Sequence, residues 1–430
     1  MGTLSPHYGE YINKRMYFRR NVAERLLYHL SHSPVVLLNG ARQTGKSTLA
    51  RQIAEQLSMP YITFDDATML SSASADPQSF VMSLTPPVVL DEVQLVPEIF
   101  RAIKLRVDKS RKAGMFLLTG SANVLLLPRL AESLAGRMQI LPLFPLSQDE
   151  IAGRSSDFIS KCFHQDFSLA NIEPGRDEMS LADRVTTGGY PEVVVQTSVR
   201  AQRDWINAYI TTVLQRDVRQ IAEVERLAMM PNLLSLIAAR TGGLLNMSDL
   251  STSSGIPHTS LSRYLALLEA TFILHRLPPW FTTVGKRVTK TSKIYFVDTG
   301  LASSLMGVNS EKLKEDGKLF GFLFENFVLM ELLKQASWSE TPVALHHFRT
   351  HKGVEVDFVL ENEAGQLVAI EVKLSGTVRG ADRGGLNHFE TIAKSKYKCG
   401  IVLYTGTRVY PLGTATWAVP IHLMWGAGTA

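Results

Sequence analysis

Gly40, Gly45, Lys46 and Ser47 follow one another as G-x4-G-K-S within GARQTGKST. A glycine-rich turn of this length lets backbone N–H groups converge on a triphosphate. Lys46 is then the candidate for the β- and γ-phosphates and Ser47 for Mg²⁺, with Gln43, Thr44 and Thr48 completing the binding set. ATP with Mg²⁺ is the cofactor pair this chemistry asks for. Downstream, VVLDEVQ ends an apolar run in Asp91 and Glu92. Asp91 would hold the metal, usually through water, and Glu92 would orient or deprotonate the attacking water. A nucleotide-binding switch could do without Glu92, so its presence favours hydrolysis.

Such residues need a sheet whose strands end together, because parallel sheets present ligand-binding residues at their carboxyl ends. The pattern predicts a strand over Val35 to Leu38 and a helix from Lys46, with Leu49, Ile53 and Leu57 at helical spacing. Val88 to Leu90 reads as a second strand, and MFLLTGSAN, residues 115 to 123, as a third. Thr119 and Ser121 emerge where that third run ends, the place for a residue that senses the γ-phosphate, although strand-end Ser and Thr also form turns. Arg137, just after a glycine, is the first choice for an arginine that stabilises transition-state charge across a subunit boundary, and Arg129 is its rival. For either, a plain surface arginine is the competing reading.

A second constellation lies in VEVDFVLENEAGQLVAIEVK, residues 354 to 373. Strand alternation puts Glu355 and Asp357 on one face, and Ala369, Glu371 and Lys373 on one face of the next strand. A three-residue turn with Gly365 left-handed pairs Asn362 with Gln366, Asp357 with Glu371 and Glu355 with Lys373. Two carboxylates and an ammonium on one face can hold Mg²⁺ and stabilise a hydroxide attacking a phosphodiester. Glu325, on an apolar helical stripe with Phe322, Val328, Leu329 and Leu332, supplies a further carboxylate that needs a partner, a metal or Lys373. The competing reading is an exposed hairpin with cross-strand Glu–Lys pairs.

Between these regions, residues 151 to 180 mix polar residues with Gly and Pro and suggest passage into a helical lid. GGYPEVV suggests a tight turn against the nucleotide, and Arg203, Arg216 and Asp217 lie on helix-like stretches, Arg216 and Asp217 either bridging subunits or solvated. A short helix ending at Gly255, then Pro257 and a helix from about Thr259 to Ala270, make a helix–turn–helix pattern. Lys286, Arg287, Lys290 and Lys293 follow on a hairpin without one acid, so the unit resembles a winged helix with a basic wing. Ser260, Ser262 and Arg263 would lie near a groove and the wing lysines on phosphates. A packing module inside an oligomer is the rival reading.

The 430 residues carry 45 Lys and Arg against 40 Asp and Glu, a net +5 that permits a nucleic-acid partner without demanding one. Cys162 and Cys399 form no CxxC pair, which excludes a disulfide framework and a structural zinc and points to a reduced, cytoplasmic setting. The amino-terminal stretch reads as no secretory signal, and no apolar run reaches a membrane span of ~18 residues.

GARQTGKSTL, VVLDEVQ, LLTGSAN, SLAGR, GGYPEVV, LQRDV, KIYFVDTGL, FGFLFENFV and EVDFVL…IEVK, taken in this order, resemble AAA+ ATPases. More narrowly, they are similar to a bacterial and archaeal family in which an AAA-type ATPase domain precedes a conserved domain of unknown function. The resemblance runs from about residue 17 to about residue 405. It implies an α/β chain with a P-loop AAA+ core over residues 1–150, a helical lid over 151–235, a winged helix over 236–295 and a restriction-endonuclease-like α/β domain over 296–430. In that last fold a helix carboxylate, a strand Asp and Glu-x-Lys make the active site, and Glu325, Asp357, Glu371 and Lys373 fill those positions. The expected function is Mg-dependent ATP hydrolysis by a homo-oligomeric ring, a hexamer being one size, that binds, remodels or translocates DNA. Two alternatives stay open: an ATP-gated DNA nuclease, and a nucleotide-controlled switch or scaffold with a protein partner.

Overall fold

The structure, a computed structural model, describes residues 17–121, 136–167, 170–171, 179–218, 227–283 and 291–426. Its amino-terminal sheet has five parallel strands: β1 Val35–Asn39, β2 Tyr61–Thr63, β3 Val88–Asp91, β4 Phe116–Gly120 and β5 Met138–Pro142, in the order β2-β3-β4-β1-β5. The continuous apolar runs follow from burial on both faces. Val35 and Leu37 of β1 pack into one layer with Ile99, Ile103 and Val107 of the helix Ile99–Lys109. Val36 and Leu38 point the other way, onto Leu26 and Leu30 of the helix Ala23–His32 and Leu49 and Ile53 of the helix Lys46–Gln56. Register sets Asn39 beside Gly120, and Thr63 beside Asp91, so the loop after β1 and the ends of β3 and β4 lie along one edge.

The second half is a mixed sheet. Its strands are β6 Ala170–Asn171, β9 Val343–Arg349, β10 Glu355–Asn362, β11 Leu367–Lys373, β12 Tyr397–Tyr404, β13 Arg408–Pro411 and β14 Thr416–Pro420, while β7 Leu274–Leu277 and β8 Lys293–Phe296 pair separately. Strands β9, β10 and β11 run antiparallel, whereas β11, β12 and β14 are parallel. The helix Gly317–Ala336 is apolar almost all round, as a buried helix must be. Among the described residues no helix is long and apolar enough to cross a membrane.

Residues that the sequence divides among lid, winged helix and carboxy-terminal domain share one core. Phe158, Val185, Leu234, Leu265, Phe327, Ile370 and Trp425 belong to a single buried cluster. Residues 158–167 and 170–171 do not simply lead into helices: Gln165 donates to the Lys398 carbonyl, and β6 pairs with β13 at the sheet edge. The helix–turn–helix pattern reads as expected locally. Asn246 caps the helix Met247–Ser254, Gly255 closes it at φ 69°, and the helix His258–Ala270 buries Leu261, Leu265 and Leu268.

Candidate nucleotide site and carboxylate pocket

The loop from Gly40 to Gly45 joins β1 to the helix Lys46–Gln56 at the carboxyl edge of the sheet. Gly45 sits at φ +95°, and a Cβ on Gly40 would lie 2.1 Å from the Leu143 carbonyl oxygen. Gly40→Ala must therefore push the loop off the segment after β5. We expect a cost of about 1–3 kcal/mol and weakened ATP binding, read by thermal melts with and without nucleotide. A melt and an ATP shift equal to wild type would show that the loop gives way freely.

Lys46 is buried, and its ammonium donates to the Ala41 carbonyl at 2.7 Å. Burial brings its pKa down to about 8, against the pull of Glu92 and Asp91. Thr44 is buried and donates to the same carbonyl, while Gln43 and Thr48 are exposed. The Ser47 hydroxyl donates to Asp91 Oδ1 at 2.9 Å, and the Thr119 hydroxyl donates to the same oxygen. A hydroxyl and a carboxylate converging at the helix start are the pair a magnesium ion beside a triphosphate would use. Glu92 follows in the left-handed region at φ 60°, its N–H donating to Thr119 Oγ1. Its carboxylate accepts a hydrogen bond from the Gln94 amide, which also donates to Ser121 Oγ at 2.9 Å. Gln94 thus ties the candidate water-activating group to the candidate phosphate sensor.

The contacts of two further arginines escape sequence reasoning. Arg20 donates to Glu150 Oε1 at 3.0 Å, to the Thr44 carbonyl and to the Phe144 carbonyl, so the segment before the first helix braces the phosphate loop. Arg42, inside the loop, donates to both oxygens of Asp217 at 2.7 Å. Asp217 is buried, and burial raises its pKa despite Arg42 beside it. Neither solvation nor a subunit bridge describes it: the single turn Val213–Asp217 aims it at the loop of its own chain. The only sequence signal was an Arg-Asp pair ending a helical stretch.

Arg137 precedes β5, whose Met138 lies beside Val35, at the opposite end of the strands from Lys46. It pairs there with Asp108 and cannot reach the phosphate loop of its own chain. Arg129 lies outside the described residues, as do Lys286, Arg287 and Lys290. Ser260 is half-buried and Arg263 exposed on the helix His258–Ala270.

In the carboxy-terminal domain the hairpin has the register its turn requires: Phe358 opposes Ile370, Asn362 meets Gln366, and Gly365 has φ +72°. Asp357 accepts from the Val372 N–H, and Lys373 donates to Glu371 at 2.9 Å. Burial, Glu371 and Glu325 push the Asp357 carboxyl well above its usual range, and burial also raises Glu371. Glu325, Asp357, Glu371 and Lys373 thus gather in one region. Lys293 corrects the sequence reading. It is no wing lysine for phosphates: it is 1% exposed and donates to Glu325 Oε1 at 2.9 Å and Glu355 Oε1 at 3.0 Å. The reason is that β8 is buried on both faces, and alternation puts Lys293 on the face of Tyr295, whose hydroxyl also donates to Glu325. Among the described residues, no group of three or more His, Cys, Asp or Glu side chains is placed to hold a metal ion.

Residues 32–152 match the AAA domain, residues 178–312 a domain of unknown function (DUF8612) and residues 320–424 another (DUF4143). Uncharacterized proteins of Mycobacterium bovis and Mycobacterium tuberculosis are each 30% identical over 419 residues, which is 96% of this chain and 85% of theirs. A Haemophilus influenzae protein is 24% identical over 354 residues, 75% of this chain and 80% of its own. Among solved structures, a Walker-type ATPase of Pyrococcus abyssi has TM-score 0.38 and 16% identity, covering 68% of this chain and 97% of that one. The RuvB Holliday junction branch migration motor of Thermotoga maritima has TM-score 0.28 and 20% identity, covering 60% and 89%.

Proposed function

Since the chain belongs to the same family as those mycobacterial proteins, and its AAA domain makes it an ATPase, we propose that it couples ATP hydrolysis to work on DNA as a homo-oligomer. In this reading the loop N–H groups and Lys46 hold the phosphates. Ser47 and Asp91 would hold Mg²⁺, which would supply positive charge beside the phosphates, and Glu92 takes the proton of the attacking water. Ser121 senses the γ-phosphate through Gln94, whose amide must release Glu92 before water can be activated. Arg137, at the far end of the strands from its own Lys46, has a catalytic role only from a neighbouring subunit, or else Arg129 supplies it.

The observation that carries the DNA part is the pair of helices Met247–Ser254 and His258–Ala270, which faces Ser262 and Arg263 to solvent on the second helix. Sequence-independent contacts from a basic segment would add affinity that falls with salt. The test is ATP turnover by the full chain with and without single-stranded and duplex DNA at two salt concentrations. Stimulation of about threefold or more, fading with salt, is expected. Turnover indifferent to all DNA tested would overturn the coupling and leave a protein partner as the substrate of the cycle.

A further inference from the structure

Lys293 and the carboxylates around it come from three separate elements. Glu325 stands on the helix Gly317–Ala336 and Glu355 and Asp357 on β10, whereas Lys293 opens β8, which belongs to a different sheet. The ammonium lies 2.9 Å from Glu325, 3.0 Å from Glu355 and 4.0 Å from Asp357, with its side chain 2% exposed. A buried ammonium is costly unless carboxylates surround it, and a cluster of buried carboxylates is costly without a cation. Each answers the need of the other. Counting further, Arg349 donates to Glu355 Oε2 and Lys373 to Glu371, so three cations face the four carboxylates of Glu325, Glu355, Asp357 and Glu371.

A divalent ion would need carboxylate oxygens at roughly 2.0–2.6 Å around one point. Between Glu325, Glu355 and Asp357 that point is taken: the oxygens of Glu325 and Glu355 close on the Lys293 nitrogen at hydrogen-bond length, and Asp357 Oδ1 lies 4.0 Å from it. We propose that Lys293 is an internal cation standing where a divalent metal shared by Glu325, Glu355 and Asp357 would stand, which closes that position to metal. The ammonium also fastens the β7–β8 pair to the seven-stranded sheet. The pocket is then a structural joint between the helical middle of the chain and its carboxy-terminal sheet.

The test is Mn²⁺ titration of the nucleotide-free full chain, followed by electron paramagnetic resonance of the free ion and by thermal melting. Wild type and Asp357→Asn are expected to give the same isotherm, because Asp357 holds no metal. Loss of a Mn²⁺ site in Asp357→Asn would overturn the proposal, and this comparison needs no change at Lys293. Lys293→Met is expected to melt lower than wild type, to bind Mn²⁺ at least about tenfold more tightly, and to be restabilised by it. A folded Lys293→Met protein with no gain in Mn²⁺ affinity would equally overturn it. Neither comparison depends on ATP or DNA, so both stand apart from the reading of the nucleotide site.

Discussion

Glu92→Gln is expected to lower ATP turnover at least 100-fold while ATP affinity changes by no more than about threefold. The substitution is nearly isosteric, and glutamine keeps a carbonyl oxygen that can accept from the Gln94 amide as the carboxylate does. The left-handed turn at φ 60° and the N–H bond to Thr119 are backbone features that a side-chain change leaves alone. Ser47 and Asp91 contact each other and not the Glu92 carboxylate, and Lys46, whose ammonium Glu92 helps keep charged, retains Asp91 and the Ala41 carbonyl. What disappears is the base that accepts the proton of water, and general-base catalysis is worth roughly 10²–10⁴-fold. Phosphate release at saturating ATP and equilibrium binding of a fluorescent ATP analogue give the two numbers. A variant that turns over within threefold of wild type would remove Glu92 from the mechanism and return the switch reading to first place. Equal loss of binding and turnover would mean that the charge of Glu92 organises the phosphate loop.

What could be read from the sequence follows the range of the interactions involved. The phosphate loop, the apolar strands and the hairpin register all depend on residues close together in the chain, none farther apart than the two strands of one hairpin. Gly40 to Ser47 is a spacing, and the turn at Gly365 fixes Asp357 against Glu371 by counting outward. The contacts that organise the site over distance leave no such trace. Arg20 and Glu150 are 130 positions apart and Arg42 and Asp217 are 175 apart. Nothing local distinguishes Arg20 from Arg19 beside it. Lys293 misled for a related reason: in sequence it closes a basic run, but in space it opens an inward strand. Its place at the head of the apolar run Ile294-Tyr295-Phe296 was the available clue, since a strand buried on both faces takes its first residue in with it. The shared core of the middle and carboxy-terminal regions was hidden for the same reason, because helical periodicity says which face is buried but not against what.

The Arg19–Arg20 pair allows the sharpest test of that distinction. Arg19 is exposed and pairs with exposed Glu24 at 3.1 Å, an interaction of little worth in water, so Arg19→Ala should change stability by less than about 0.5 kcal/mol. Arg20 is 7% exposed, and its partner Glu150 has a side chain only 1% exposed. Arg20→Ala strands that carboxylate with the N–H groups of Asn21 and Ser147 and removes its cation, a loss of about 3–5 kcal/mol. At 2–4 °C per kcal/mol for a sizeable domain, the melting midpoint should fall by roughly 10 °C. The same substitution frees the Thr44 and Phe144 carbonyls, so the phosphate loop loses its brace and the KM for ATP should rise several-fold even at temperatures where the variant stays folded. Glu150→Gln separates the two effects. It keeps Arg20 on the Thr44 carbonyl while removing the buried negative charge, and so should lower stability with a smaller change in KM. Matching melts for Arg19→Ala and Arg20→Ala would show that the buried pair contributes nothing. A stability loss without any rise in KM would leave Arg20 as a core contact that does not reach the nucleotide.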